Sequence, residues 1–415
     1  MTDVIVVGGG ASGMMASGTA AGRGLETLLF ERNAFLGKKL MITGKGRCNV
    51  TNDCKELESL IKNVVSNGKF LYSSFSSFMP EDVMSFFESR GVKLKTERGK
   101  RVFPVSDKAA DIVGCLEKFV IDSGVKVVNE RVKKIIVRDG RAAGVETFDK
   151  KQYFSNSVII ATGGKSYPKT GSTGDGYFMA KQCGHTVTEL KPSLVALETC
   201  ENFCREAMGL SLRNVEVKLE DTKKGKIIFT DFGEMLFTHF GVSGPLVLSA
   251  SAHIRQMEEG RYVLHIDLKN ALDHAQLDKR LLRELLDGAN RNFSNVLDTL
   301  LPKKLVPVFI ELTGIDAQTK ANQITKEQRQ KVLKLLKDLP VTVRNFRPID
   351  EAVITSGGVS VKEVDPKTME SKLVKDLYFC GEILDVDAYT GGFNLQIAFS
   401  TARTAGNSVN KGEKT

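Results

Sequence analysis

Residues 3–13 read DVIVVGGGASG, an apolar and mostly β-branched run that passes without a linker into three glycines and then into the small-residue stretch Met14–Ala21. This pattern reads as a buried strand, a tight glycine turn and a helix. Gly8, Gly10 and Gly13 hold the spacing GxGxxG, and each has a mechanical task. Gly8 permits the turn, Gly10 leaves room for backbone to approach a pyrophosphate, and Gly13 lets the helix pack closely on the strand. N–H groups at the helix start, from Ala11, Ser12 and Gly13, then face phosphate oxygens. Leu25–Phe30 is the next strand, and Glu31 ends it at a separation suited to accepting both hydroxyls of a ribose. The N-terminal segment is therefore expected to be a dinucleotide-binding βαβ unit.

At 415 residues the chain suits two or three domains, because single cores stop growing near roughly 250 residues. A hydrophobic share of 41% and a charged share of 26% are ordinary globular values. No basic leader precedes an apolar run, and no stretch reaches about eighteen apolar residues, so a soluble, cytoplasmic protein is expected. The cysteines at 48, 54, 115, 183, 200, 204 and 380 form no CxxC pair, which argues against a disulfide framework. No metal is expected: Cys200 and Cys204 lack nearby partners, and His185, His253, His265 and His274 are scattered. A net charge of +9 favours anionic partners without naming one.

Outward from the fingerprint, Met41–Asn52 is a polar loop rich in glycine, and a mixed helical region follows over 56–90. An amphipathic helix is expected over 107–123, then strands over 125–128, 132–137 and 142–148 with a turn at Asp139-Gly140. Ser157–Thr162 is a buried strand ending in Gly163-Gly164, and Gly171–Gly176 opens another helix. From about Lys191 the pattern changes to strands with a hairpin at 222–225, then helices over 276–288 and 326–337. We read 191–347 as an inserted substrate or cap domain and 1–190 with 348–415 as one discontinuous dinucleotide-binding domain. In the last segment, Ala352–Ser356, a Gly357-Gly358 turn, the strand 377–380 and a helix from about Asn394 complete it.

The βαβ unit alone leaves NAD and FAD open. A reductase that binds two nucleotides should carry a second GxGxxG, and none is present. The run SVIIATGG over 157–164 instead suits a strand returning to a flavin cofactor, and Gly381-Glu382 with Asp385 can lie beside the ribityl chain or the pyrophosphate. The glycines of TGGFN over 390–394 stand at a helix N-terminus, where N–H groups stabilise negative charge on a reduced flavin ring.

Three further stretches carry a resemblance. GKGRCNVTN over 44–52, FTHFGVSGP over 237–245, and GEILDVD over 381–387 with GGFNLQ over 391–396 are similar to the signature set of the BaiN/YhiN-like family of bacterial flavoproteins, and the likeness covers nearly the whole chain. It implies an α/β fold: a glutathione-reductase-like FAD-binding Rossmann domain interrupted by an inserted β-barrel plus helical domain. The implied FAD contacts are Gly8, Gly10, Ala11, Ser12, Gly13, Glu31, Arg32, Lys38, Lys39, Thr43, Gly44, Gly46, Arg47, Cys48, Asn49, Val132, Ala161, Thr162, Gly163, Gly164, Gly381, Glu382, Asp385, Gly392, Phe393, Asn394 and Leu395. Arg47 and either Lys38 or Lys39 are expected to neutralise cofactor phosphates and the charge of the reduced ring. This chain departs from the family at Ala388-Tyr389, where glycine is usual, and at Ile397. Both positions bear on substrate shape near the ring.

The resemblance implies an FAD-dependent oxidoreductase acting on an activated C=C bond, with non-covalent FAD and NAD(P)H as transient reductant. A 3-oxo-Δ4 or Δ4,6 bile-acid-type steroid enone is the leading substrate. Reduction of a ribosomal RNA uridine to dihydrouridine is the alternative, and oxidation of aminoacetone a further one. Reduction of either C=C substrate needs a donor to the carbonyl oxygen and an acid for the α-carbon. Cys48 is a candidate acid or a packed small residue. His239 is a candidate donor or a structural histidine, and Tyr389 either polarises a carbonyl or packs.

Overall fold

The computed structural model describes residues 2–410. It divides into one unit made of the segments up to Ser193 and from Pro348, and a second unit, Leu194–Arg347.

In the first unit, β1 (Thr2–Val7), α1 (Ala11–Ala21) and β2 (Thr27–Phe30) form the opening βαβ. Helix α2 (Ala109–Asp122) leads to β3 (Lys126–Val128), β4 (Val132–Arg138), β5 (Arg141–Thr147) and β6 (Gln152–Ile160). Parallel pairing runs β3, β2, β1, β6 and then β7 (Leu377–Phe379), so the last strand comes from the far end of the chain. The first half of β6 pairs antiparallel with β5, and β5 with β4, which makes a three-stranded meander on the same sheet. Asp139 and Gly140 turn it with φ of 50° and 73°, the positive angles that a two-residue hairpin turn demands. Strand β6 begins well before the expected Ser157, because its polar first half pairs in the meander while only its apolar second half enters the parallel sheet.

Helix α1 is buried on nearly every side, which its Ala, Ser, Gly and Met content permits. A Cβ on Gly18 would lie 2.3 Å from the Phe119 ring of α2, and one on Gly406 would lie 2.7 Å from the Ala16 carbonyl oxygen. Small residues thus bring α1 against α2 on one side and against α3 (Phe393–Ser408) on the other. The core beneath is Val4, Ile5, Val6, Val158, Ile159, Ile160 and Phe399, all fully buried. Burial of each such side chain contributes roughly 1.5–3 kcal/mol.

The first unit ends at Ser193 because Lys191–Ser193 pairs with Ile354–Ser356. The second unit contains a closed six-stranded antiparallel barrel built of Leu197–Thr199, Gly241–Ser243, Lys226–Phe237, Ser211–Asp221, Tyr262–Asp267 and Leu339–Phe346. Val217, Leu219, Phe237, Leu264, Ile266, Val341 and Val343 fill it. Helices His274–Asp287 and Lys326–Lys337 fall close to their expected places, and each opens on a capping box, Asp273 with Gln276 and Thr325 with Gln328.

Candidate active site

The fingerprint turn lies at the carboxyl end of β1. Gly8 has φ of +106°, and a Cβ there would stand 2.6 Å from the Ala161 carbonyl oxygen. A Cβ on Gly13 would stand 1.7 Å from the Gly8 carbonyl oxygen. Gly10 is different: nothing lies within 4 Å of where its Cβ would be. It is also the N-cap of α1 and offers no side-chain cap, so the first-turn N–H groups of Ala11, Ser12 and Gly13 keep the orphan character of a helix start.

Glu31 is buried at the end of β2. Its Oε2 accepts the Gly9 N–H at 2.8 Å, and its Oε1 accepts the backbone and amide N–H groups of Asn33, each at 2.7 Å. A carboxylate offers about four lone-pair positions, so three donors leave room for a hydroxyl. Arg32 bonds Thr173 at 2.8 Å and Asp175 at 3.4 Å, and Arg131 grips the same aspartate through two 2.8 Å bonds. Val132 is buried at the start of β4.

After Gly37, whose N–H donates to the Gly9 carbonyl at 2.8 Å, the short helix Lys38–Ile42 leads into the glycine loop. Gly44, Lys45, Gly46 and Cys48 there all have positive φ. The Cys48 N–H donates to the Thr43 carbonyl at 3.0 Å, and its side chain is fully buried. Burial pushes its thiol up to about 12, so it is a closed, neutral group. Nearby in sequence, Asn49 Oδ1 is buried without a hydrogen-bond partner among the described residues, and so is Thr162 Oγ1 beyond the end of β6.

Two of the expected cations are already matched within the chain, since a half-buried charge without a counter-charge is costly. Lys39 Nζ lies 2.7 Å from Glu382 Oε2. Arg47 pairs with Glu97 and Asp107 and lies over the Phe103 ring at 4.1 Å. In the chain by itself, Lys39 and Arg47 thus have carboxylate partners. Lys38 is half-buried.

The C-terminal segment returns to the fingerprint. A Cβ on Gly381 would stand 2.6 Å from Ser12 Oγ, and the Gly381 N–H donates to Thr401 Oγ1 at 2.9 Å. Gly392 has φ of +100°, and a Cβ on it would stand 2.2 Å from the Thr51 carbonyl oxygen. It starts α3 and, like Gly10, supplies no side-chain cap. The Asn394 side chain ties down the preceding turn through both backbone groups of Ala388 and the Tyr389 carbonyl. Phe393 is buried and Leu395 half-buried. Asp385 is half-buried, its N–H donating to the Val359 carbonyl.

Two side chains that residue reasoning passed over organise this end. Gln396, fully buried, accepts from Thr51 Oγ1 and donates to the Phe78 carbonyl and Ser400 Oγ. Asn52 donates to the carbonyls of Gly99 at 3.0 Å and Gly391 at 3.1 Å, joining a hairpin tip to the turn before α3. Only their long-range partners reveal these roles. Tyr389 lies on that turn, half-buried. His239 belongs to the second unit, is exposed, and packs edge-on to Phe240 at 4.9 Å.

In the first unit, the open face at Gly10, the glycine-led helix starts at Gly10 and Gly392 and the partnerless buried oxygens of Asn49 and Thr162, two of seven such atoms in this unit among the described residues, suit a dinucleotide that carries phosphates and a polar ring. Residues 2–408 match the family described as HI0933-like protein Rossmann domain. The chain belongs to this family. It is 30% identical to the 3-dehydro-bile acid delta(4,6)-reductase of Clostridium scindens, covering 98% of each chain. It is also 29% identical to the ribosomal RNA dihydrouridine synthase of Haemophilus influenzae, again over 98% of each. Among solved structures, its fold resembles 3-ketosteroid-delta4-(5alpha)-dehydrogenase of Rhodococcus jostii RHA1, with a TM-score of 0.50 at 15% identity over 99% of this chain and 97% of that one. No helix among the described residues is long and apolar enough to cross a membrane.

Proposed function

We propose that this enzyme reduces a C=C bond conjugated to a carbonyl, with a 3-oxo-Δ4 or Δ4,6 bile-acid-type steroid as substrate and NAD(P)H as transient reductant. The observation that carries the reductase reading is the pair of glycine-led helix starts within one discontinuous unit, Gly10 with open space where a Cβ would stand and Gly392 at φ of +100° against the Thr51 carbonyl. The first suits a diphosphate, and the second suits negative charge that appears only on reduction. Full-length similarity to the bile-acid reductase supports the steroid.

FAD bound there would supply hydride chemistry between NAD(P)H and the β-carbon of the enone, with a proton from solvent completing the reduction at the α-carbon. The chain's residues do the rest. The first turn of α1 would hold the pyrophosphate, and Glu31, with three donors already on it, would accept from one ribose hydroxyl. Thr162 and Asn49, whose buried oxygens lack partners among the described residues, bond the cofactor's polar edges. Of the three candidate donors, Cys48 is sealed and holds its proton too tightly. Tyr389, on the turn held by Asn394, is the one we assign to the substrate carbonyl.

One observation favours a second reading, a uracil ring of ribosomal RNA, whose C=C bond is also conjugated to a carbonyl. Lys45, Arg98, Lys100 and Arg101 are exposed around the glycine loop and on the hairpin tip that Asn52 ties to Gly391. Several cations suit a phosphodiester backbone better than a single carboxylate.

The test is to reduce the purified flavoprotein anaerobically with NADPH or NADH and ask what restores the oxidised flavin band. Reoxidation by a 3-oxo-Δ4 steroid acid is the expected result. Reoxidation by ribosomal RNA fragments alone, steeply weakened by salt, selects the second reading. Reoxidation by oxygen alone removes both.

A further inference from the structure

Lys39 and Glu382 form the most connected polar cluster next to the fingerprint, and neither role expected of them uses it. Glu382 Oε2 takes the Lys39 ammonium at 2.7 Å, while Oε1 accepts from Ser166 Oγ at 3.1 Å and from the Thr355 N–H at 2.9 Å. Lys39 also donates to Ser166 Oγ at 2.8 Å. Thr355 Oγ1 in turn accepts the N–H groups of Lys165 and Ser166 at 2.8 and 3.1 Å. A Cβ on Gly164 would stand 2.5 Å from Thr355 Oγ1 and 2.7 Å from Glu382 Oε1, so glycine there is what lets the cluster close.

Both ends of the pair are anchored to the dinucleotide turn. Gly37, two residues before Lys39, bonds the Gly9 carbonyl. Gly381, immediately before Glu382, packs on Ser12. Each side chain keeps 21% of its exposure, so the pair is shielded enough for its charges to act over a distance while remaining at the edge of the site.

We propose that Lys39 and Glu382 are positioning residues that act as a matched charge pair: together they fix the glycine loop against the Gly381 turn, and Glu382 cancels a cation that would otherwise bias the flavin toward its reduced, anionic form. Phosphate neutralisation by Lys39 is then not its function. Removing either partner exposes the other's charge to the cofactor, and the two losses act in opposite directions. An unmatched lysine stabilises negative charge on the reduced ring and raises its reduction potential; an unmatched glutamate lowers it. Loss of packing alone has no such antisymmetry. The proposal rests on FAD occupancy of this unit but not on the identity of the substrate.

The test is the midpoint potential of bound flavin in the full-length holoprotein, measured by dye-coupled anaerobic reduction, for the native protein, Glu382→Gln, Lys39→Met, Lys39→Arg and the double Lys39→Met/Glu382→Gln. The expected result is a rise for Glu382→Gln, a fall for Lys39→Met, a native value for Lys39→Arg and a return toward native in the double variant. Shifts of the same sign in both single variants, or no shift in either, overturn it. Should a single variant lose FAD, its affinity is read by fluorescence titration. Recovery of binding in the double variant supports the pair, and continued loss overturns it.

Discussion

The three fingerprint glycines are alike in sequence and unlike in what surrounds them, which separates their substitutions. Gly13→Ala drives a methyl into the Gly8 carbonyl, so both folding and FAD binding should fail. Gly10→Ala meets no protein atom; the FAD-free chain should keep its thermal midpoint while FAD affinity falls at least tenfold, about 1.4 kcal/mol. Comparing melting curves with flavin titrations checks both, and unchanged FAD affinity in Gly10→Ala contradicts the open-face reading. Cys48 gives a second contrast. With its thiol near 12 and fully buried, it should resist a disulfide reagent at pH 8 until the protein is denatured, and Cys48→Ala should retain turnover. Rapid native labelling defeats this account. These glycines were legible because a tight turn and a close packing contact are local demands on sequence. The partner of Lys39 was not, because Glu382 lies 343 positions away and no local pattern couples them.

At the scale of elements, His185 shows how a connecting segment is held. Ser371 Oγ accepts the N–H groups of Leu373 and Val374, so its own proton goes to His185 Nε2 at 2.8 Å. The remaining imidazole proton, on Nδ1, then meets Glu363 at 3.2 Å. Burial lowers the affinity of His185 for a second proton despite the carboxylate beside it. Burial raises the Glu363 carboxyl, but the hydrogen bonds from Thr186 and His185 outweigh it and hold it below its usual range. Both groups bind fewer protons folded than unfolded. Their contributions are therefore present at neutral pH and lost as pH falls: that of His185 below about 6.5, that of Glu363 below about 4.3, up to about 1.4 kcal/mol per pH unit for each linked proton. Urea midpoints between pH 8 and 4 should fall on the acid side, and His185→Gln should flatten the upper part of that fall; an unaltered slope rejects the assignment. The helix over 326–337 was readable because a capping box marks its start. The hairpin Leu94–Glu97 with Arg101–Pro104 was missed. Its turn places Lys100, a residue with no turn preference, in the left-handed region, and surface charges hide its alternation.

For the whole molecule, the pattern changes near Lys191, and the barrel was legible through the family resemblance and not through local patterning, since closure depends on pairing Leu197–Thr199 with Leu339–Phe346 across the full insert. The net charge of +9 gives a measurable expectation: if RNA is the substrate, the logarithm of affinity should fall linearly with the logarithm of salt concentration, with a slope that counts phosphate contacts. A steroid acid should show a shallow dependence, and a steep one for the steroid would contradict a contact limited to one carboxylate.

Strand β7 and helix α3 have a further consequence during biosynthesis. The emerging chain presents the fingerprint first, yet the strand that flanks β6 and the helix that packs on α1 leave the ribosome only after the entire barrel unit. Closing that long loop delays the pairing of β7, so the flavin site should be completed only after the barrel unit has been synthesised. A nascent chain stalled before Leu377 should contain a folded barrel and no flavin, and a ribosome-bound series of increasing length should gain the yellow colour only once α3 clears the exit tunnel.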